Sequence, residues 1–225
     1  VPVTILSERR PDMNERDAYA IADAAVALAS QPVAGFKLGY TSAAMRQQMN
    51  VDRPNYGRLY ANTRIPNAGK LDIDRLIHPL IEPEIGLLIG NDMEVESVMP
   101  ALEIVDTRYT DYAFAAVDNI ADNSSAARFV LGPPCSLRSL GDLRTLPAVL
   151  YANGSAMAEG TGSDALGDPL RALAWLINRL ARDDVAMPAG TIVLTGGLTR
   201  AYPISGASHF RAAFGPLGEV SLAIP

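Results

Sequence analysis

The stretch IEPEIG, residues 81–86, sets Glu82 and Glu84 two positions apart inside an apolar run that continues through Leu87, Leu88 and Ile89. Side chains alternate along a strand, so both carboxylates would point the same way with Cα atoms about 6–7 Å apart. Two bare carboxylates so placed repel, and burial would raise the pKa of at least one unless a cation sits between them. A solvated edge strand is the plain alternative. A third acid separates the readings: PALEIVDTR embeds Glu103 in another apolar strand, near enough in sequence to pair beside the first. Three carboxylates without a histidine make a hard-cation site, with positions left for water and a chelating substrate, as Mg2+ prefers. Glu94 and Glu96, in MEVES, lie among polar residues and read as solvated surface.

The elements that must hold these acids follow from the pattern. Asn14 and Asp17 form a helix start, and Ala18, Ile21, Ala25 and Leu28 fall on one face of a helix that ends before Pro32. VAGFKLGYTS reads as a strand that carries Lys37 and runs into a turn, after which Ser42 would cap a short helix through AAMRQQM. Loops and short strands are expected from Asn55 to Gly69, strands over 80–90 and 101–109, and a helix across VDNIADNSSAARFVL. Asn153-Gly154 marks a hairpin turn. In DPLRALAWLINRLARDD, Asp168 and Pro169 start a helix with Leu170, Leu173, Ala174, Ile177 and Leu180 on its apolar face. Strands return near the C-terminus, so the fold class is α+β with β structure dominant.

Composition narrows the function. The 225 residues are 48% hydrophobic, without internal repeats, and suit one domain over 1–225, with an N-terminal helical segment to about residue 31 packed on it. The formal charge is −6 and the basic residues are scattered, which leaves no footprint for nucleic acid or an anionic membrane. A small soluble ligand is expected. Cys135 is the single cysteine, and His78 and His209 are the two histidines, which disfavours a disulfide framework and a histidine-rich zinc site. No apolar run reaches the ~20 residues of a membrane span, and VPVTILSERRPD has no signal-peptide pattern, so a reducing cytoplasm is expected.

In order along the chain, GFKLGYTS, LIHPLIEPEIGLLIG, ALEIVDTRY, IADNSSAARFVLG, AGTIVLTGGLTRAYPI and GPLGEVSLAI resemble the hydratase/decarboxylase branch of the fumarylacetoacetate hydrolase superfamily. The resemblance covers nearly the whole chain. It implies a mixed β-roll or sandwich with flanking helices and a Mg2+ or Mn2+ site. Glu82, Glu84 and Glu103 fall on the family's metal ligands and Lys37 on its active-site lysine. Thr41, Asn55, Tyr56 and Gly162 are the implied substrate-binding residues, the last in GTGSDALG, whose backbone N–H groups could meet a substrate carboxylate. The implied substrate is a small 2-oxo acid, the implied assembly a homo-oligomer, and a partner enzyme of the same pathway a further expectation.

The branch contains 2-keto-4-pentenoate hydratases and 4-oxalocrotonate decarboxylases. Both handle a 2-oxo acid whose carboxylate and keto oxygen can chelate a metal. A hydratase also wants a base for water, and hydratases of this family carry an aspartate in PDYG or PDFG; here the stretch is RPNYG, with Asn55. An amide cannot take that proton at neutral pH. LIHP, DTRY and LTGGLT also look more like the decarboxylases, which places decarboxylation of a 2-oxo-3-enedioate ahead of hydration. The interval between Glu84 and Glu103 is shorter than is usual in the family. A segment missing beside the site would widen the pocket or remove a lid, which leaves room for a smaller 2-oxo acid or a non-catalytic metal- or ligand-binding homologue.

Other residues have plainer readings. Outside the motif Lys37 would be a snorkelling surface lysine, His78 a turn residue, and Asp106 and Arg108 an ion pair supporting the metal shell. Gly196 and Gly197 serve close backbone approach.

Overall fold

The structure, a computed structural model, describes residues 1–48 and 50–225. Helices α1 (Leu6–Arg9), α2 (Glu15–Ala29), α3 (Ala43–Gln48), α4 (Ala116–Ala121), α5 (Leu137–Leu140) and α6 (Pro169–Arg182) surround two curled sheets. The larger sheet contains β1 (Val33–Gly39), β2 (Asn55–Tyr60), β3 (Arg64–Ile65), β5 (Leu80–Ile89), β6 (Val95–Val105), β7 (Ala126–Leu131) and β10 (Ile192–Leu194), in the order β2-β1-β10-β5-β6-β7-β3. A short strand, β11 (Tyr202–Pro203), pairs with β5 off this path. The smaller sheet runs β4-β13-β12-β8-β9, from β4 (Gly69–Lys70), β8 (Pro147–Ala152), β9 (Ser155–Thr161), β12 (Ser208–Ala213) and β13 (Glu219–Ile224). Pairing is mixed: β1 lies parallel to β10, whereas β5 is antiparallel to both β10 and β6. This is the expected α+β class.

One apolar cluster joins both sheets and the helices, with Ile81, Ile85 and Leu87 of β5 packed in the same core as Leu150, Phe210 and Leu222 of the smaller sheet. Several local signals act as the sequence predicts. Asn14 and Asp17 form a reciprocal capping box on α2, Asp168 caps α6 with Pro169 in its first turn, and Asn153-Gly154, with φ of 51° and 83°, turns β8 into β9. The N-terminal segment is tied to α4, where Asp118 accepts from both the backbone N–H (2.7 Å) and the hydroxyl (2.6 Å) of Ser7.

Other expectations give way to packing. In α2 the buried residues are Ala18, Tyr19 and Ala22, while Ile21 and Leu28 are 40% and 84% exposed. Tyr19 decides the face: its ring stacks on Tyr56 at 4.6 Å and lies beneath the Arg179 guanidinium at 4.4 Å. In α6 the face is rotated similarly, burying Ala172, Leu173, Leu176 and Leu180 and leaving Leu170 exposed. The helix expected across VDNIADNSSAARFVL stops at Ala121; Asn123, Ser124 and Ser125 follow with φ of 54°, 54° and 56°, and β7 then begins. The strand expected over 101–109 starts earlier, at Val95, and ends at Val105. The short helix after Ser42 is α3, and its expected end at Met49 lies outside the described residues.

Between Glu84 and Glu103 the chain consists of the ends of β5 and β6 and one turn. That turn lies at residues 90–94, beyond the end of β5 remote from Glu82, about 20 Å along the strand from Glu84.

Candidate metal centre and its cavity

Antiparallel register brings Glu82 of β5 directly opposite Glu103 of β6, and Glu84 follows Glu82 on the same face. Each of the three offers a carboxylate oxygen within 4.8 Å of the others. Glu84 and Glu103 are fully buried; Glu82 keeps an edge on a cavity of about 300 Å3. Two glycines let the chain close around them. The N–H of Gly196 donates to Glu84 Oε2 at 2.7 Å, and a Cβ on Gly197 would come within 2.0 Å of Glu82 Oε2. Gly196 also has φ +102°, and a Cβ there would strike the Thr41 side chain.

Lys37, on β1, is 3% exposed and reaches Glu103 Oε2 at 3.1 Å and the Ser124 carbonyl oxygen at 3.1 Å. The snorkelling alternative does not apply. Burial alone would lower the lysine pKa, but the charges of Glu103, Glu82 and Glu84 outweigh it and hold it above its ordinary value. Burial, then the charge of Glu103, pushes Glu82 up to about 7. Glu84 is raised well above its ordinary value by burial, then by the charges of Glu103 and Glu82.

A divalent cation fits these residues. Glu84 Oε1 and Glu103 Oε1 are buried without a hydrogen-bond donor, and three carboxylates facing one ammonium would, once ionised, leave two negative charges for a cation to compensate. An all-oxygen donor set selects a hard ion.

The cavity is polar at the end formed by Lys37, Glu82 and Ser124, and apolar along Leu80, Val105 and Phe114. Ser124 is aimed by the left-handed turn at 123–125. The Asn123 side chain holds that turn against β2, accepting from Arg58 N–H (2.7 Å) and donating to Arg58 C=O (2.9 Å). Gly57 is required there, since a Cβ would meet the Asn123 carbonyl at 2.2 Å. Asp122, next in line, is held by Arg108 through its carboxylate and carbonyl. Arg108 therefore pairs with Asp122, not with Asp106; Asp106 instead accepts from the backbone N–H groups of Ile77 and His78. His78 is a turn residue whose carbonyl accepts from the Tyr112 hydroxyl at 3.0 Å.

The implied substrate-binding residues separate. Thr41 lines the cavity. Asn55 is 2% exposed and sits one hydrogen bond behind it, bonded to Asn119 and Ser124. Tyr56 does not reach the cavity: as the next residue on β2 it faces the other way, donating its hydroxyl to Asp183 at 3.0 Å and stacking on Tyr19. Gly162 is also elsewhere. Its N–H is spent on the Leu146 carbonyl at 2.9 Å, and it packs against the turn at Leu143. Asn119, Ser125, Tyr112 and Arg200 line the cavity without having been singled out from the sequence, although the polar run NSS between a helix and a strand marked the place.

No family model matches the chain. Among curated proteins, a 4-oxalocrotonate decarboxylase of Pseudomonas putida is 36% identical over 201 residues, covering 84% of this chain and 76% of that protein. A 2-keto-4-pentenoate hydratase of Paraburkholderia xenovorans (strain LB400) is 34% identical over 236 residues, covering 97% and 87%. Among solved structures, the 4-oxalocrotonate decarboxylase of Pseudomonas putida G7, complexed with magnesium and adipate, superposes with a TM-score of 0.94 at 32% identity, covering 100% of this chain and 91% of that one.

Proposed function

The chain belongs to the hydratase/decarboxylase branch of the fumarylacetoacetate hydrolase superfamily, and from that premise we propose that it is a divalent-metal-dependent lyase that decarboxylates a 2-oxo-3-enedioate of the 4-oxalocrotonate type to a 2-hydroxydienoate. The observation that carries this reading is the buried group of Glu82, Glu84 and Glu103 with Lys37 at the polar end of a small cavity. Relatives that are decarboxylases and hydratases, one of them crystallised with magnesium and a dicarboxylate, support the same class.

Glu82, Glu84 and Glu103 would hold Mg2+ or Mn2+, which supplies Lewis-acid polarisation of the substrate's 2-oxo group. Lys37 would stabilise the negative charge that develops when the distal carbon–carbon bond breaks and its electron pair moves through the C3–C4 double bond toward the 2-oxo oxygen. Lys37 donates one hydrogen bond to the Ser124 carbonyl and ion-pairs with Glu103, which leaves donor capacity for substrate. Its ion pair with Glu103 holds the ammonium at the cavity wall, where it would act as a cation and hydrogen-bond donor. Leu80, Val105 and Phe114 would keep water from the departing carboxylate.

Hydration of 2-hydroxypenta-2,4-dienoate is the second reading, supported by hydratase relatives of nearly equal identity. Asn55 ranks it lower, since an amide stands where a water-activating carboxylate would be wanted. Incubation with each substrate and Mg2+, read by mass spectrometry, separates the two: loss of carbon dioxide from the enedioate supports the first, gain of water by the dienoate the second, and neither would overturn both. A homo-oligomer belongs to the same proposal, supported by Ile21 and Leu28 left exposed on α2. A cytoplasmic setting is in keeping with it. Among the described residues no helix is long and apolar enough to cross a membrane.

A further inference from the structure

Four buried polar side chains, three of them in the cavity wall and Asn55 behind it, form a hydrogen-bonded chain. The Ser124 hydroxyl donates to Asn55 Oδ1 (3.0 Å), Asn55 Nδ2 donates to Asn119 Oδ1 (2.8 Å), and Asn119 Nδ2 donates to Ser125 Oγ (2.9 Å). All four residues are at most 6% exposed. Ser124 and Ser125 both line the cavity that Lys37 and Glu82 face, so the chain leaves the cavity wall at one serine and ends on it at the other. An amide has a distinct donor end and acceptor end, so the two asparagines give the chain a polarity. At its end Ser125 accepts from Asn119, and among the described residues no acceptor takes the Ser125 hydroxyl hydrogen.

We propose that Ser125 donates this hydrogen bond to an oxygen of the bound 2-oxo acid, and that Asn55 is the positioning residue whose amide permits the polarity in which Ser125 is a donor, a polarity that a carboxylate at that position would forbid. The inference rests on the 2-oxo acid reading given above. Its consequence is a rule for position 55. A carboxylate there only accepts, so Ser124 would still donate to it, but Asn119 would have to turn its amide, giving Nδ2 to residue 55 and Oδ1 to Ser125. Ser125 would then donate inward and present a lone pair to the cavity. An amide at 55 therefore allows the ligand a hydrogen from Ser125; a carboxylate at 55 leaves only an acceptor there, suited to orienting a water molecule. Residue 55 would select between these two surfaces without touching the ligand.

The test is calorimetric binding of 2-oxopentanoate, which lacks the reactive double bond, to protein saturated with Mg2+. Ser125→Ala should weaken binding about tenfold or more, as for a hydrogen bond to a charged acceptor. Asn55→Asp should also weaken it, and Ser125→Ala added to Asn55→Asp should then cost less than about twofold, because the hydrogen is already withdrawn. Asn119→Asp, which accepts from both neighbours, should produce the same loss with Ser125 intact, and it serves if Ser125→Ala does not fold. Binding by Ser125→Ala or Asn119→Asp within twofold of the wild type, or an equal cost of Ser125→Ala in both backgrounds, overturns the inference and leaves the 2-oxo acid reading standing. A wild type that binds Mg2+ but not 2-oxopentanoate overturns both.

Discussion

Lys37→Met removes a charge and keeps most of the volume, which makes it the most informative single substitution. Lys37 is 3% exposed and its partner Glu103 is 0% exposed, so the variant strands a buried carboxylate. Breaking a buried ion pair from one side typically costs about 3–5 kcal/mol. For a chain of this size that lowers Tm by roughly 6–20 °C, at about 2–4 °C per kcal/mol. The cost should depend on the metal. A divalent cation among Glu82, Glu84 and Glu103 replaces the lost positive charge, so saturating Mg2+ should recover most of the difference, and the Tm increment on adding Mg2+ should be larger in the variant than in the wild type. Turnover should nevertheless fall at least tenfold, equivalent to about 1.4 kcal/mol of barrier. Thermal unfolding with Mg2+ or EDTA, beside steady-state decarboxylation, reads both. An equal Tm loss in the two conditions would refute the shared electrostatic site, and full activity would remove Lys37 from the chemistry.

Glu82→Gln, Glu84→Gln and Glu103→Gln should each weaken Mg2+ or Mn2+ binding in direct titration; unchanged affinity in all three refutes the metal assignment. The raised carboxyl pKa of Glu82, about 7, means that the metal-free folded protein holds a proton that the unfolded chain releases near its ordinary value of 4.5. Stability of the EDTA-treated protein should therefore fall as pH rises across this window, while Mg2+ affinity rises over the same range with proton release; opposite slopes would count against it. Wild-type protein should hydrate 2-hydroxypenta-2,4-dienoate poorly, and Asn55→Asp should raise hydration without helping decarboxylation; efficient wild-type hydration reverses the ranking of the two reactions.

The acids were legible because their cost is local: Glu82, Glu84 and Glu103 interrupt apolar strands, and strand alternation alone puts the first two on one face. The helix starts at Asn14 and Asp168 and the turn at Asn153-Gly154 were legible for the same reason, each being a short-range hydrogen-bond pattern. What was not legible depends on distant partners. Periodicity groups Asn55 apart from Tyr56 but does not say which face meets the cavity, and Tyr56 was settled by Tyr19 and Asp183. GTGSDALG looked rich in N–H donors, yet Gly162 gives its own to Leu146. Three consecutive left-handed residues at 123–125 contradict ordinary backbone preference, each costing about 1–3 kcal/mol, and are held by Arg58 from β2. Nothing within the run NSSAA predicts that clamp.

The β5–β6 pairing has a consequence for the order of folding. Glu82 and Glu103 are joined through one tight hairpin, a low-contact-order unit that closes early, whereas the Gly196 N–H reaches Glu84 across a separation of 112 residues and the Ser124 carbonyl reaches Lys37 across 87. During refolding the three carboxylates therefore converge before the ammonium and the glycine amide that steady them. Repulsion within the nascent hairpin would then oppose its closure, and a divalent cation captured there would relieve it. A divalent cation held by these acids is therefore expected to speed the folding limb of the chevron as well as slow the unfolding limb, read by refolding with Mg2+ or EDTA, so that the ion would also serve as a template for the chain that holds it.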